Sequence, residues 1–522
     1  MKTFNTAGTC HPNEHYMVDI TERVEIIRKM VAKGDYFCIN RGRQYGKTTT
    51  LAALQRTLEQ SGYTVFSLSF EGMAEGAFLN LNTVLFKLVQ KINDCILWDE
   101  VKNISETSKA LLDELEKRAE ASIDDVVFFR TMSKVCKTEK VVLFIDEVDQ
   151  ASNSASFIQF LGLLREMYLK RDTRPTFLSV ILAGVYDIKN LKLKMRHEDQ
   201  HQYNSPWNIA VPFDVDMSLS AKGITDMLAE YKADHNLSFD EVFVGQMIRD
   251  YTAGYPFLVS RICQIIDTES YTWDKEGVLK AVNAILVERN TLFDNMIKKL
   301  DEYPELKQVL KGILFSGKLK SYNPDEKYIQ MATMFNYIVS KEGKIAIACR
   351  IMETRLYNLF ISEEENSSFF MQGQIDKSQF IKDGMIDVPH LLERFVVHMN
   401  QTYKMDHDNE FIENDARKVF LTYLRPVING IGSYHIEEQT RDHDRMDVVI
   451  DYLGKQYVIE LKIWRGNAYN ERGEEQLCRY LEYFDLKEGY LLSFCFNKTK
   501  QSGLLPPVEI NGRRLIEAIV YN

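Results

Sequence analysis

The chain has 522 residues, too many for one ordinary core, so two to four domains are expected. Its formal net charge of −11 excludes a globally basic nucleic-acid binder, so any polyanion site must be a local patch or rely on a metal. The eight cysteines are scattered without a C-x-x-C pair, which excludes a zinc ribbon and a disulfide framework and fits a reduced, cytoplasmic setting. No signal peptide is expected in MKTFNTAGTCHPNEHY, and no apolar run is long enough for a membrane helix.

Taken in order, Cys10, His11 and His15 form a weak metal signal that a flexible segment explains as well. Residues 19–31 (DITERVEIIRKMV) are amphipathic, with Val24, Ile27 and Met30 on one face. Residues 36–39 read as a short buried strand, and a helix opens at Thr48. Between them lies Arg41-Gly42-Arg43-Gln44-Tyr45-Gly46-Lys47-Thr48. Strand, tight loop and helix in that order is the context of a phosphate-binding loop. Gly46 lets the backbone approach phosphate oxygens, and the unpartnered N–H groups of the first helical turn point to the same place. Lys47 can reach β- and γ-phosphates, and the Thr48 hydroxyl can ligate Mg²⁺. The candidate nucleotide-binding set is Arg43, Gln44, Tyr45, Gly46, Lys47, Thr48 and Thr49. The glycine expected at Arg41 falls one place late, at Gly42.

Residues 63–70 (YTVFSLSF) read as a second strand, followed by helical patterns at 81–97 and 108–121. KVVLFIDEVDQ (140–150) is a buried strand that delivers Asp146 and Glu147 at its C-terminal end, where open α/β sheets bind ligands. Asp146 is placed to hold Mg²⁺ and Glu147 to activate the attacking water. Residues 176–183 form another buried strand; Tyr186 or Asp187 after it lies where a residue sensing the γ-phosphate would sit, and an ordinary strand-end loop explains the same residues better. Residues 208–213 suggest a fifth strand. Alternating strands and helices imply a parallel sheet between helical layers. From 219 to about 300 the pattern is helical, with Gly254 and Pro256 punctuating two helices in TAGYPFLVSR. Arg261, one turn into the second, either contacts phosphate from a lid or faces solvent.

GRQYGKTT, FIDEVDQ and TAGYPFLVS together resemble the bacterial AAA-ATPase-like proteins, members of the additional-strand P-loop ATPases. Their loop often reads R-P-R-x-F/Y-G-K-S/T; Arg41, Arg43, Tyr45, Gly46, Lys47 and Thr48 match it, with Gly42 in place of the Pro. The resemblance covers about residues 10–360 and implies ATP as the nucleotide.

Residues 304–315 and 327–340 read as helices, 344–348 as a short β-wing and 352–360 as a helix, a winged-helix pattern that binds DNA or packs on a lid. The polar run from Glu363 to about 386 reads as a linker. Further on, 445–451 and 457–463 are strands about a turn at Leu453-Gly454-Lys455. Folded as a hairpin, they set Asp447 about opposite Glu460. Glu460 and Lys462, two apart, point to the same side. Two close carboxylates repel unless a divalent cation lies between them, and a lysine beside that cation can orient water and stabilise phosphorane charge.

This stretch resembles the PD-(D/E)XK nuclease superfamily over about residues 390–522. Asp447 matches the first acid and Glu460-Leu461-Lys462 the E-x-K; Met446 replaces the expected Pro. The resemblance implies a glutamine beside the site, Gln476 on the helix 473–484, and an acid from the helix 410–424, Glu413. The same bacterial proteins often carry such a domain at their C-terminus, with a role in mobile elements or phage defence by analogy.

The expected architecture is α/β: a P-loop ATPase core (1–218), a helical lid (219–300), a winged-helix module (301–362), a linker (363–386) and a PD-(D/E)XK nuclease-like domain (387–522). The expected function is ATP binding and hydrolysis controlling a metal-dependent nuclease. Glu147, Asp447, Glu460 and Lys462 would be catalytic. Thr48 and Asp146 would hold Mg²⁺ at one site; Asp447 and Glu460 would hold Mg²⁺, or Mn²⁺, at the other. The implied partner is nucleic acid, DNA over RNA; the reading admits a homo-oligomer and needs no membrane. The alternatives are a signalling-type ATPase switch whose C-terminal fold binds without cleaving, and a motor or loader that moves DNA.

Overall fold

The computed structural model describes residues 2–521 except 152–153, 186–205, 316–320, 342, 364–367, 403–412, 429–431, 438–446, 464–473, 475–476, 479–480, 483–485 and 496–501. Two units are distinguished, Met1–Leu219 with Met334–Asn336, and Ser220–Thr333 with Tyr337–Asn522.

In the first unit β1 (Thr3–Phe4) pairs with β2 (His15–Tyr16), and α1 (Thr21–Ala32) precedes β3 (Phe37–Asn40). There follow α2 (Lys47–Gln60), β4 (Thr64–Ser69), α3 (Leu81–Leu97), α4 (Glu106–Glu116), α5 (Asp125–Thr138), β5 (Val141–Asp146), α6 (Ala155–Leu169) and β6 (Ser179–Gly184). The last four of these strands are parallel, in the order β3-β6-β5-β4. The pleat explains the unbroken apolar run in β5. Val141, Leu143 and Ile145 enter a core shared with α3, α5 and α6, while Val142 and Phe144 enter a second core shared with α1 and α2. Both faces being covered, all six β5 residues are buried.

The expected strand at 208–213 is reduced to one parallel bridge, Phe37 to Val211, in which the Val211 N–H donates to the Tyr36 carbonyl at 2.9 Å. Phe213 instead stacks on Phe37, ring centroids 5.7 Å apart.

The second unit opens with α7 (Ala221–Asp234), α8 (Glu241–Thr252), α9 (Pro256–Thr268), α10 (Lys275–Val287) and α11 (Thr291–Glu302). Ser220, Asp240, Asp274 and Asn290 cap α7, α8, α10 and α11, each side chain accepting from first-turn N–H groups. TAGYP behaves as the sequence suggests: Ala253 (φ 49°) and Gly254 (φ 72°) stop α8, and Pro256 starts α9.

Next come α12 (Pro304–Phe315), α13 (Lys327–Met334), an antiparallel hairpin of β7 (Ile338–Lys341) and β8 (Lys344–Ile347), and α14 (Arg350–Ser362). The helix expected through residue 340 ends early because Asn336, at φ 58°, leaves the helical region. Its last expected residues become the first strand of the wing.

The expected linker is folded where it is described. It holds α15 (Ser368–Asp376) and a small hairpin, β9 (Ile381–Lys382) with β10 (Met385–Ile386), turned by Asp383 and Gly384 at positive φ. Phe369, Phe380 and Ile386 are buried, and the Tyr423 hydroxyl donates to Asp376 Oδ2 at 2.8 Å. Polar letters hid these anchors.

The chain ends in α16 (Val388–Thr402), α17 (Glu413–Ile428), β11 (Gly432–Glu437), β12 (Asp447–Tyr452), β13 (Lys455–Ile463), β14 (Glu488–Cys495), β15 (Gly503–Leu504), β16 (Val508–Ile510) and β17 (Arg513–Tyr521). They form a seven-stranded sheet in the order β11-β12-β13-β14-β17-β15, with β16 also on β17. The first three strands are antiparallel; β13, β14 and β17 run parallel. The β12–β13 turn uses Leu453 (φ 49°) and Gly454 (φ 80°). It meets the helices of its own unit: a Cβ on Gly454 would lie 3.1 Å from Glu276 Cγ in α10. The Tyr251 hydroxyl of α8 is 3.4 Å from Asp451 Oδ2 in β12, both residues being buried. Tyr357 of α14 meets Tyr434 of β11 edge-on at 6.4 Å.

Candidate functional site

The loop between β3 and α2 reverses tightly through Gln44 (φ 56°) and Gly46 (φ 79°), and Gly46 is the residue before the first turn of α2. The first N–H groups of that helix therefore face the end of the sheet. Lys47 is 6% exposed, and its ammonium donates to the carbonyls of Arg41 and Gly42, each at 3.0 Å. Burial pushes its pKa down, while Glu147 and Asp146 pull it up. The exposed Thr48 hydroxyl donates to Asp146 Oδ2 at 2.8 Å. A phosphate-loop hydroxyl and a strand-end carboxylate, far apart in sequence, thus converge as two oxygen donors.

Glu147 follows in the left-handed region (φ 53°), and its backbone N–H donates to Asp146 Oδ1 at 2.8 Å. Burial raises the Glu147 pKa; the ammonium of Lys47 opposes that rise and Asp146 adds to it. Two residues that the sequence reasoning did not single out brace this corner. Asp149 Oδ2 accepts from the Val185 N–H at 2.7 Å, tying the end of β5 to the end of β6. Gly184 makes that approach feasible: a Cβ there would lie 2.9 Å from both Asp149 Oδ1 and Val148 Cγ2. The second aspartate of FIDEVDQ was the available signal.

The other loop residues separate by role. Arg43 is exposed and Tyr45 packs beside the α1–α2 core. The Thr49 hydroxyl accepts from the Cys10 N–H at 3.2 Å, so it anchors the N-terminal segment. Arg41 donates to the carbonyls of Asn40 (2.9 Å) and Val215 (2.8 Å) and lies over Phe213. Arg261 is held by Glu288, with a shortest contact of 2.7 Å, and by Gln264 at 2.6 Å; it stands in an ion pair where a phosphate contact or a solvent-facing side chain was expected. Tyr186 and Asp187 lie outside the described residues.

In the C-terminal sheet Asp447 and Glu460 are direct partners across β12 and β13. Only the backbone of Asp447 is described. Glu460 shares its face with Val458, which packs with Val449 beneath Leu477 and Leu481. Its carboxylate is fully buried, and Lys462 Nζ, on a residue 5% exposed, is 3.3 Å from Glu460 Oε1. Gln476 lies outside the described residues. Glu413 opens α17, but its side chain is not described. Among the described residues no three His, Cys, Asp or Glu side chains converge to hold a metal, and no helix is long and apolar enough to cross a membrane.

Among curated proteins, none matches this chain. Solved structures match weakly over about two thirds of it. The Walker-type ATPase of Pyrococcus abyssi is 14% identical, covering 68% of this chain and 99% of its own, with a TM-score of 0.48. Cdc6p of Pyrobaculum aerophilum is 13% identical over 69% of this chain and 97% of its own (TM-score 0.33). The Aeropyrum pernix ORC2 protein is 11% identical over 69% and 98% (TM-score 0.36). The family described as AAA-like domain matches residues 8–362, which include the phosphate loop, the Asp146–Glu147 strand end and the helices through α14. This chain belongs to the AAA-like domain family.

Proposed function

We propose that this protein binds and hydrolyses ATP, and that its nucleotide state controls a metal-dependent phosphodiesterase in the C-terminal sheet that cleaves nucleic acid, DNA in preference to RNA. The observation that carries the ATPase half is the 2.8 Å contact between the Thr48 hydroxyl and Asp146, at the end of a parallel sheet and beside the start of α2. The nuclease half rests on the register that pairs Asp447 with Glu460 and puts Lys462 on the same face.

The donor chemistry fits Mg²⁺ at the first site, since Thr48 and Asp146 offer hard oxygens already in contact. Bound there, Mg²⁺ would neutralise charge on the β- and γ-phosphates. The first-turn N–H groups of α2 would hold phosphate oxygens. Lys47 would exchange its two carbonyl partners for phosphate, a charge-assisted contact stronger than those it gives up. Glu147, with a raised pKa, would accept the proton of the attacking water. At the second site Asp447 and Glu460 are likewise hard oxygen donors, suited to Mg²⁺ or Mn²⁺, and Lys462 would orient water and stabilise charge on phosphorus.

A second reading has its own support. Glu460 is wholly buried beside Lys462, as in an ion pair that fixes a hairpin and cleaves nothing. The protein would then be an ATP-driven switch whose C-terminal sheet binds nucleic acid or protein. The deciding experiment incubates plasmid and single-stranded DNA with Mg²⁺ or Mn²⁺, with and without ATP, for wild type, Glu460→Ala and Lys47→Ala. Cleavage lost in Glu460→Ala, and altered by ATP only when Lys47 is present, supports the nuclease. ATP hydrolysis without cleavage of DNA or RNA leaves the switch.

A further inference from the structure

Residues 212–219 carry the chain from its bridge to the parallel sheet at Val211 to Ser220, where the second unit begins. Their burial alternates as in a strand: Val215, Met217 and Leu219 are buried, Asp214 and Asp216 exposed. Yet among the described residues 212–219 make no backbone-to-backbone hydrogen bond. Two arginine side chains satisfy carbonyls there instead. Arg23 of α1 donates to the Ser218 carbonyl at 3.1 Å. Arg41 donates to the Val215 carbonyl at 2.8 Å, its guanidinium 5.5 Å from the centre of the Phe213 ring. Burial pushes both guanidinium pKa values down, and Asp216 opposes that fall in both.

The two holds start from different places. Arg23 sits on a helix away from the phosphate loop, whereas Arg41 opens that loop, where the usual motif has glycine. Arg41 is engaged at three points. Its N–H donates to the Gly184 carbonyl at 3.2 Å, its carbonyl accepts from the Lys47 ammonium at 3.0 Å, and its guanidinium holds Val215. One residue thus joins the end of β6, the phosphate-binding lysine and the stretch that leads into α7. A glycine could make the first two contacts but not the third. A phosphate competes for the Lys47 ammonium. Once the ammonium turns to it, the Arg41 carbonyl loses a charged donor and the peptide at 41–42 has to find a new rest position.

We infer that Arg41 is a relay from the phosphate loop to residues 212–219: when Lys47 leaves the Arg41 carbonyl for a nucleotide phosphate, the Arg41 side chain carries the rearrangement to the Val215 carbonyl and so to the stretch that enters α7. The inference rests on the ATP-binding reading above.

The test is hydrogen–deuterium exchange of the full chain, read by mass spectrometry on peptides covering 211–222, without nucleotide and with saturating ADP or a non-hydrolysable ATP analogue. Titration with a fluorescent nucleotide sets the saturating concentration for each variant. In wild type, nucleotide should change exchange at 213–219 by about fivefold or more, the low end of coupling between linked sites. In Arg41→Met, exchange should no longer respond to bound nucleotide. In Arg23→Met, exchange should rise with and without nucleotide, because Ser218 is released, while the response persists. Should Arg41→Met not fold, Arg41→Lys carries the test: it keeps the charge but cannot hold the Asn40 and Val215 carbonyls together, so its response should be smaller than that of wild type. A response of wild-type size in the Arg41 variant, or a response lost equally in Arg23→Met, overturns the relay. So does nucleotide that binds wild type and leaves 213–219 unchanged. An Arg41→Met chain that folds but binds no nucleotide makes Arg41 a phosphate contact and overturns the relay as well. A wild type that binds no nucleotide overturns the ATP reading and the inference together.

Discussion

The corner that carries Asp146 and Glu147 is held by a close approach that one methyl group should disturb. In Gly184→Ala the new Cβ would start 2.9 Å from Asp149 Oδ1 and 2.9 Å from Val148 Cγ2. Ordinary contact needs about 3.5 Å, so each atom must retreat by about 0.6 Å. The bond from the Val185 N–H to Asp149, now 2.7 Å, would stretch past a good length or break. Hydrogen bonds to a charged group are worth about 1.5–3 kcal/mol, and overpacking a tight site costs about 1–3 kcal/mol. The β5 end would shift in response, because Asp149 is three residues from Asp146. A 1 Å misplacement can cost about a hundredfold in rate, so a shift of half that should lower ATP turnover about tenfold. Nucleotide affinity should fall less than turnover, since the first-turn N–H groups of α2 and the carbonyls that hold Lys47 belong to the β3–α2 segment and not to the β5 end. Steady-state ATP hydrolysis and titration with a fluorescent nucleotide would measure the two quantities. Asp149→Ala should reproduce the turnover defect by losing the same bond. Turnover in both variants within twofold of wild type would refute this account of the corner.

Three more outcomes are expected. Lys47→Ala should abolish nucleotide binding in the same titration, and with it any effect of ATP on the C-terminal sheet. Gly373→Ala should loosen α15 from α17, because its Cβ would lie 2.1 Å from the Tyr423 carbonyl oxygen; the overpacking cost of about 1–3 kcal/mol outweighs the roughly 1 kcal/mol that alanine adds to a helix. Limited proteolysis should then cut between 363 and 386 faster than in wild type. The thiols of Cys95, Cys136 and Cys349 are pushed up to about 12 by burial and all are unpaired, so at pH 8 the native chain should leave them unalkylated by iodoacetamide, and urea should expose all three. Mass spectrometry of the labelled peptides reads the result.

Much of this was legible from local pattern. VVLFID announces a strand covered on both sides, and Gly46-Lys47-Thr48 after a short apolar run announces the loop it forms. The hairpin register of Asp447 and Glu460 followed from counting outward from Gly454, since period-two alternation leaves few choices. Errors arose where one backbone residue overrode a segment's average character. Asn336, at positive φ, turned the end of a helix into a wing. The linker reading failed because Phe369, Phe380 and Asp376 find partners far along the chain, which composition does not encode. Asp149 and Gly184 escaped for the same reason: their importance is a contact between two strand ends.

The turn at Gly454 rests against α10, Asp451 lies beside Tyr251 of α8, and Tyr434 lies against Tyr357 of α14. The sheet that bears Glu460 therefore shares its interior with helices that precede it by up to two hundred residues. A fragment beginning near residue 387 would leave Asp451 and Tyr434 facing water where they now face side chains. A fragment ending near 362 would bare Tyr251 and Tyr357. These contacts argue against any cut between 220 and 522, a stretch that should be expressed, crystallised and exchanged with relatives as one piece, although Met334–Asn336 within it group with the first unit.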